Sequence, residues 1–258
     1  MASREQIAKI RHSLDNSKLG RYLTQVAERS LDTEGYAVVE EVVGSTIVGG
    51  LVKHLQTDDA AGGSRQRGGS TFGVRNLLRD SPNIAALACL PEIRALVEPV
   101  LGPNAIAVRG ILFDKTPGAN WTVPWHQDLS IPVIQREEIA GFGPWSVKAG
   151  VPHVQPPVDI LRNMLTVRLH LDDCGLDNGP LLVIPGSHAH GILLQNQADE
   201  LRKSNPPAAC AVHCGGVVLM RPLLLHASHS AESPGHRRVI HLEFSGGELP
   251  APLRWHVA

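Results

Sequence analysis

The segment WTVPWHQDLSIPV, residues 121 to 133, sets His126 and Asp128 two positions apart. In an extended chain alternate side chains leave from one face, so this imidazole and carboxylate can reach a single metal ion together. Such a pair is a weak signal alone, and a second one, His170 and Asp172, is present. Surroundings separate the two. Asp172 enters the turn-rich run DDCGLDNGP and reads as a solvated turn acid, whereas the first pair lies between Trp121, Pro124, Trp125 and the apolar Ile131 to Val133. An imidazole from a distant strand would complete a 2-His-1-carboxylate set, which covers one face of Fe(II) and leaves neighbouring positions open. Several histidines are candidates. His226 ends the run RPLLLH and shares its strand face with Ser228, and Arg237 follows on a new strand. Metal, hydroxyl and guanidinium then come within reach of one small dicarboxylate, for which the arginine fork offers two charge-assisted hydrogen bonds.

These groups need a rigid frame, and the chain is built to supply one. To about residue 105 it reads as mainly helical. Leu19, Tyr22, Leu23 and Val26 fall at helical spacing, Ser45 is an N-cap candidate for a helix through His54, and Glu92 to Leu101 follows Pro91 and stops at Gly102 and Pro103. Tyr36 to Val39 favours a strand, and Ala60 to Gly73, with its glycines and RQR cluster, reads as a solvated loop. From Ala105 the texture changes to short apolar runs broken by Pro, Gly, Asn and Asp. Strands are expected at Ala107 to Lys115, Met164 to Leu171, Leu181 to Ile184, Gly216 to Arg221, Leu223 to Ser228 and Arg237 to Phe244. Short strands without alternating helices indicate an antiparallel sandwich or jelly roll, so the fold class is mainly β with flanking helices. Thr166, Arg168 and His170 alternate with apolar residues, as do Arg237, His241 and Glu243 in part, and such a polar face either meets water, as on most sheets, or lines a barrel around a ligand.

Composition closes off other classes. The 24 Lys plus Arg against 25 Asp plus Glu give a net charge of -1, so no global field holds a polyanion, and no nucleic-acid or membrane partner is expected. No apolar run approaches the roughly 20 residues that span a bilayer, and a cytoplasmic location with reduced thiols is the default for four cysteines in 258 residues. The chain is read as one domain: residues 1–105 packing on a core at 106–246, with 247–258 as a tail.

The motifs FDKTP (113–117), WHQD (125–128), DNGPLLVIPGSHAHG (177–191), RPLLLHAS and HRRVIHLEF resemble, in order and spacing, the phytanoyl-CoA dioxygenase type of Fe(II)- and 2-oxoglutarate-dependent dioxygenases. The resemblance covers roughly the last 150 residues and implies a double-stranded β-helix core of cupin-like type. It further implies that His126, Asp128 and His226 ligate iron and that Arg237, helped by Ser228, binds the distal carboxylate of 2-oxoglutarate. Ile111, Gln127 and Arg168 are the remaining cosubstrate-side positions it indicates. Arg168 stands where some relatives carry an aromatic residue, which opens the option of a second bound anion. Retention of Asp128 favours hydroxylation over halogenation. The implied reaction consumes O2 and 2-oxoglutarate and releases succinate and CO2. The competing class is a cupin-type metal-binding jelly roll, an isomerase or ligand-binding protein that does not use O2; fold cannot separate the two.

A small-molecule substrate would be met at the pocket mouth, where Trp145, His153, Gln155 and Arg109 are the candidates. Trp145, His153 and Gln155 lie in a long segment expected to be irregular, and His153 and Gln155 fall two apart in a Pro-bounded stretch. His188 and His190 read as turn residues, the CAVHC run as structural, and His229 and His236 as exposed loop residues. Neither the substrate nor the oligomeric state is legible.

Overall fold

The computed structural model describes residues 16–57, 64–67 and 70–256. Three antiparallel sheets build it. The large sheet has seven strands in the order β1 (Tyr36–Val39), β12 (Val217–Met220), β9 (Met164–His170), β14 (Arg237–Ser245), β4 (Ile106–Lys115), β3 (Ser70–Val74), β2 (Ser64–Arg67). The second runs β11 (Ala208–Cys210), β10 (Leu181–Val183), β13 (His226–Ser228), β5 (Val123–His126). Central strands β12-β9-β14-β4 and the four of the second sheet are the two halves of a jelly roll, the double-stranded β-helix.

The alternation seen in sequence decides which way each strand faces. Leu165, Val167 and Leu169 of β9, with Ile240, Leu242 and Phe244 of β14, form the outer apolar face of the large sheet. Against it pack α1 (Asn16–Thr33), α2 (Ser45–Thr57), α3 (Leu77–Asp80), α4 (Pro82–Ala88) and α5 (Pro91–Leu101) through Leu31, Leu51, Leu77, Ile84 and Ile93. Burying each such Leu, Ile or Phe stabilises the fold by about 1.5–3 kcal/mol, so this layer fixes the sheet beneath the site. Ser81 caps α4 by accepting from the Ile84 N–H, with Pro82 at the first helical position. The N-terminal helix ends at Thr33; Ala27 and Leu31 are buried and Val26 is exposed.

Two expectations are corrected. The stretch around Ala60 to Gly73, expected as a loop, contributes the β2/β3 hairpin, which lengthens the sheet by pairing Gly73 and Val74 with Phe113 and Leu112; backbone pairing at a sheet edge outweighs local glycine content. The segment after the HxD pair, expected as irregular, folds into a third sheet, β6 (Ile131–Pro132), β8 (Val151–Val154), β7 (Trp145–Lys148). In the tail, Leu249, Leu253 and Trp255 are buried against Ile131, Val133 and Val154, and Val133 bridges to Trp255. All four cysteines are free. Among the described residues no helix is long and apolar enough to cross a membrane.

Candidate active site

The inward face of the large sheet is a ladder of polar rows. Antiparallel partners share a face, so register aligns Lys115 with Arg237, Phe113 with Val239 and His170, Ile111 with His241 and Arg168, and Arg109 with Glu243 and Thr166. Across from this ladder, His126 of β5 is paired directly with His226 of β13. Their rings lie 4.2 Å apart, centroid to centroid. Asp128, beyond the end of β5, is held by its N–H donating to the Pro222 carbonyl at 2.9 Å.

Three side chains far apart in the chain therefore converge. His126 Nε2 lies 3.8 Å from Asp128 Oδ1 and His226 Nε2 lies 3.7 Å from Oδ2. Both imidazoles are oriented alike: each Nδ1 donates to the backbone carbonyl two residues earlier, Pro124 and Leu224, at 2.8 Å. That bond places the proton on Nδ1 and turns a bare Nε2 lone pair toward the carboxylate, the second-sphere arrangement of a metal-binding histidine. Burial pushes His226 down to about 3, which keeps its ring neutral. Asp128 Oδ2 is buried and has no hydrogen-bond partner. Two neutral imidazoles and an ionised carboxylate suit a divalent first-row metal with open positions.

Asp128 also lies near His241 and Glu243. That second cluster is not a competing metal site, because its ligand atoms are engaged. Arg168 Nη1 donates to His241 Nδ1 at 2.9 Å, His241 Nε2 donates to Glu243 Oε1 at 3.0 Å, and Arg109 Nη2 reaches the same oxygen at 2.7 Å. The chain of bonds braces the wall beneath the triad.

Further into the barrel stands the cationic end. Arg237 is 2% exposed, yet its Nε and Nη1 have no acceptor. Lys115, directly across the ladder, is fully buried and donates to Ser228 Oγ at 3.1 Å and to the His229 carbonyl. Burial, then Arg237, lowers its ammonium to about 7. Gly179, in the DNGP turn, closes this end: with φ +59 it sits where a Cβ would meet the His229 carbonyl at 2.6 Å and Lys115 Nζ at 2.9 Å. Arg168, buried and pushed down to about 10 by burial first and Arg237 next, lies 5.7 Å over the Phe113 ring.

Of the residues singled out from sequence, the structure groups His126, Asp128 and His226 as ligand candidates, sets Arg237, Ile111, Arg168 and Arg109 on one face of the large sheet, and bonds Ser228 to Lys115 of that face. Gln127 is a correction. Its Nε2 donates to the Gly191 and Leu223 carbonyls and its Oε1 accepts from the Leu193 N–H, so it ties loops together behind the site instead of contacting a cosubstrate. Gln155 is tied through its backbone to Gly143 and Pro144, and Trp145 packs in the apolar cluster of the third sheet. Asp172, expected as a solvated turn acid, instead grips Arg238 through two oxygens at 2.5 and 2.8 Å, which removes the decoy pair from metal chemistry. Sequence reading gave Lys115 no role and weighed His170 only as half of the second pair and as part of a polar strand face. The signal existed: both are polar residues on the inward alternation of β4 and β9, and His170 is fully buried with neither ring nitrogen bonded.

A double-stranded β-helix with a 2-His-1-carboxylate set at its mouth defines the class. Residues 31–239 match the phytanoyl-CoA dioxygenase family, and the chain belongs to it. Peroxisomal phytanoyl-CoA dioxygenase of Mus musculus is 26% identical over 183 residues, covering 62% of this chain and 45% of that protein; the Bos taurus protein is 26% identical over 174 residues, covering 60% and 44%. The chain thus spans less than half the length of these relatives. Among solved structures, EctD from S. alaskensis superposes with TM-score 0.68 at 22% identity, covering 87% of this chain and 78% of that one. The non-heme alpha ketoglutarate dependent carbocyclase SnoK gives 0.68 at 18% identity, covering 88% and 85%. These likenesses are ones of fold.

Proposed function

We propose that the protein is an Fe(II)- and 2-oxoglutarate-dependent dioxygenase that hydroxylates a C–H bond of a small molecule, with O2 consumed and succinate and CO2 released. One observation carries the reading: the buried Arg237 guanidinium has unfilled donors, on the strand facing a triad of bare ligand atoms. A cupin that merely holds a metal has no use for such a guanidinium. One of the solved neighbours is EctD with 2-oxoglutarate and 5-hydroxyectoine, at 20% identity, which is consistent with the same cosubstrate here.

In this reading His126, Asp128 and His226 hold ferrous iron, which supplies O2 activation when bound. Everything else falls to the chain. Arg237 and Lys115 grip the distal carboxylate of the cosubstrate, Ser228 holds the lysine in place, and Ile111, Phe113 and Val239 exclude water from its methylene carbons. His170 is neutral and offers a hydrogen bond along that path. The His241–Glu243–Arg109 chain braces the wall beside Asp128, whose backbone N–H is held by the Pro222 carbonyl.

The test is anaerobic addition of Fe(II) and 2-oxoglutarate to the apoprotein. A visible charge-transfer band is expected, absent in His126→Ala and requiring far more 2-oxoglutarate in Arg237→Ala. An iron-loaded protein indifferent to 2-oxoglutarate would overturn the proposal in favour of the cupin reading.

A further inference from the structure

The partner of Arg237 is unlike those of nearby arginines. Arg238 is gripped by Asp172 at 2.5 and 2.8 Å and Arg109 meets Glu243 at 2.7 Å, so each of these carries a neutralising carboxylate. Arg237 hydrogen-bonds the thiol of Cys174 instead. Its Nε and Nη1 have no acceptor, so Nη2 makes that bond and the rest of the guanidinium is left open. Asp114, an acid whose field reaches Arg237, is itself bonded to His236 at 2.9 Å.

Cys174 is buried, and its backbone is fixed through both polar groups: its N–H donates to the Val212 carbonyl at 2.8 Å and its carbonyl accepts from the Val212 N–H at 3.0 Å. Burial raises the thiol above its ordinary 9.0, so it keeps its proton. The S–H donates to the Asn178 carbonyl at 3.8 Å, which leaves the sulfur lone pairs for Arg237. Asn178 precedes Gly179, whose turn stands against Lys115 Nζ and the His229 carbonyl. One side chain therefore touches both the guanidinium and the turn that shuts the lysine end.

Resting on the dioxygenase reading above, we propose that Cys174 is a positioning residue for the cosubstrate: its sulfur holds Arg237 through Nη2 and so fixes the plane in which the guanidinium meets the distal carboxylate. Sulfur is a weak acceptor, so it sets the direction of the guanidinium while leaving its charge to the ligand. A carboxylate at position 174 would pair with the arginine as Asp172 does with Arg238, and the distal carboxylate would have to displace it. A side chain with no acceptor would let the guanidinium turn, and a bond from a planar donor group depends on that plane.

The experiment titrates the charge-transfer band of the full chain loaded with Fe(II), under anaerobic conditions, with 2-oxoglutarate and with 2-oxobutyrate, which has the same keto-acid head and no distal carboxylate. Cys174→Ala should weaken 2-oxoglutarate about three- to tenfold, the weight of one ordinary hydrogen bond, and leave 2-oxobutyrate unchanged. Cys174→Ser, which keeps an acceptor and a donor, should recover wild-type affinity to within about twofold. Cys174→Asp should weaken 2-oxoglutarate about tenfold or more while 2-oxobutyrate still gives its band, which shows that the variant is folded. If Cys174→Asp gives no band with either acid, the Ala and Ser variants decide. Equal loss of both keto acids in Cys174→Ala, a serine no better than alanine, or 2-oxoglutarate affinity unchanged in Cys174→Ala, each overturns the inference and leaves the dioxygenase reading standing. If the wild type forms a band with neither keto acid, that reading falls and the inference with it.

Discussion

Lys115 and Arg237 face each other across the β4/β14 ladder, one fully buried and the other 2% exposed, with no carboxylate between them. Two adjacent buried cations repel, and a bound anion relieves that repulsion. Replacing either should therefore weaken that anion's binding more than it destabilises the fold. Arg237→Ala and Lys115→Met are each expected to raise the dissociation constant for 2-oxoglutarate about ten- to hundredfold, since hydrogen bonds to charged groups contribute about 1.5–3 kcal/mol. Titration of the charge-transfer band measures this; unchanged affinity in Lys115→Met would assign the lysine to bracing the His229 turn alone.

The same lysine sets a pH dependence. Its folded value, about 7, lies below the ordinary 10.5, so between these values the unfolded chain binds more protons. Stability of the apoprotein should rise with pH across that window through this group, because the strain of a buried ammonium is relieved as it deprotonates. Binding of a dianion needs the ammonium form. Affinity for 2-oxoglutarate should accordingly fall above about pH 7, with proton uptake on binding, seen by calorimetry in two buffers of different ionisation enthalpy. Lys115→Met should abolish the uptake.

Metal removal should lower thermal stability. A ligand present at 100 times its dissociation constant stabilises the folded state by about 2.7 kcal/mol. In a chain of this size that is about 5–10 °C in the melting temperature, measurable by calorimetry with and without a chelator. Asp128→Ala should show no metal-dependent shift.

Gly179→Ala should be costly out of proportion to one methyl group. The residue has φ +59, and a Cβ there would strike the His229 carbonyl and Lys115 Nζ. Strain at positive φ and displaced neighbours together cost about 1–3 kcal/mol, measurable by denaturant unfolding. Because the displaced neighbour is Lys115, weaker 2-oxoglutarate binding should accompany the loss.

Much of this architecture follows from local pattern. Period-2 alternation in Thr166, Arg168 and His170 and in Arg237, His241 and Glu243 already stated that the polar residues share a face, since side-chain direction in a strand is fixed by the pleat. The ligand pair His126 and Asp128 was legible for the same reason, through its apolar flanks. Register was not. That His226 lies opposite His126, and Lys115 opposite Arg237, depends on pairings across about 100 residues, which no short window encodes. The hairpin at Ser64 to Val74 and the third sheet escaped notice because edge strands owe their conformation to a neighbour's free backbone groups more than to their own residues. Gln127 and Asp172 were misread because a polar side chain's role is settled by the partner it reaches, and those partners, Gly191 and Arg238, arrive only when the chain has folded.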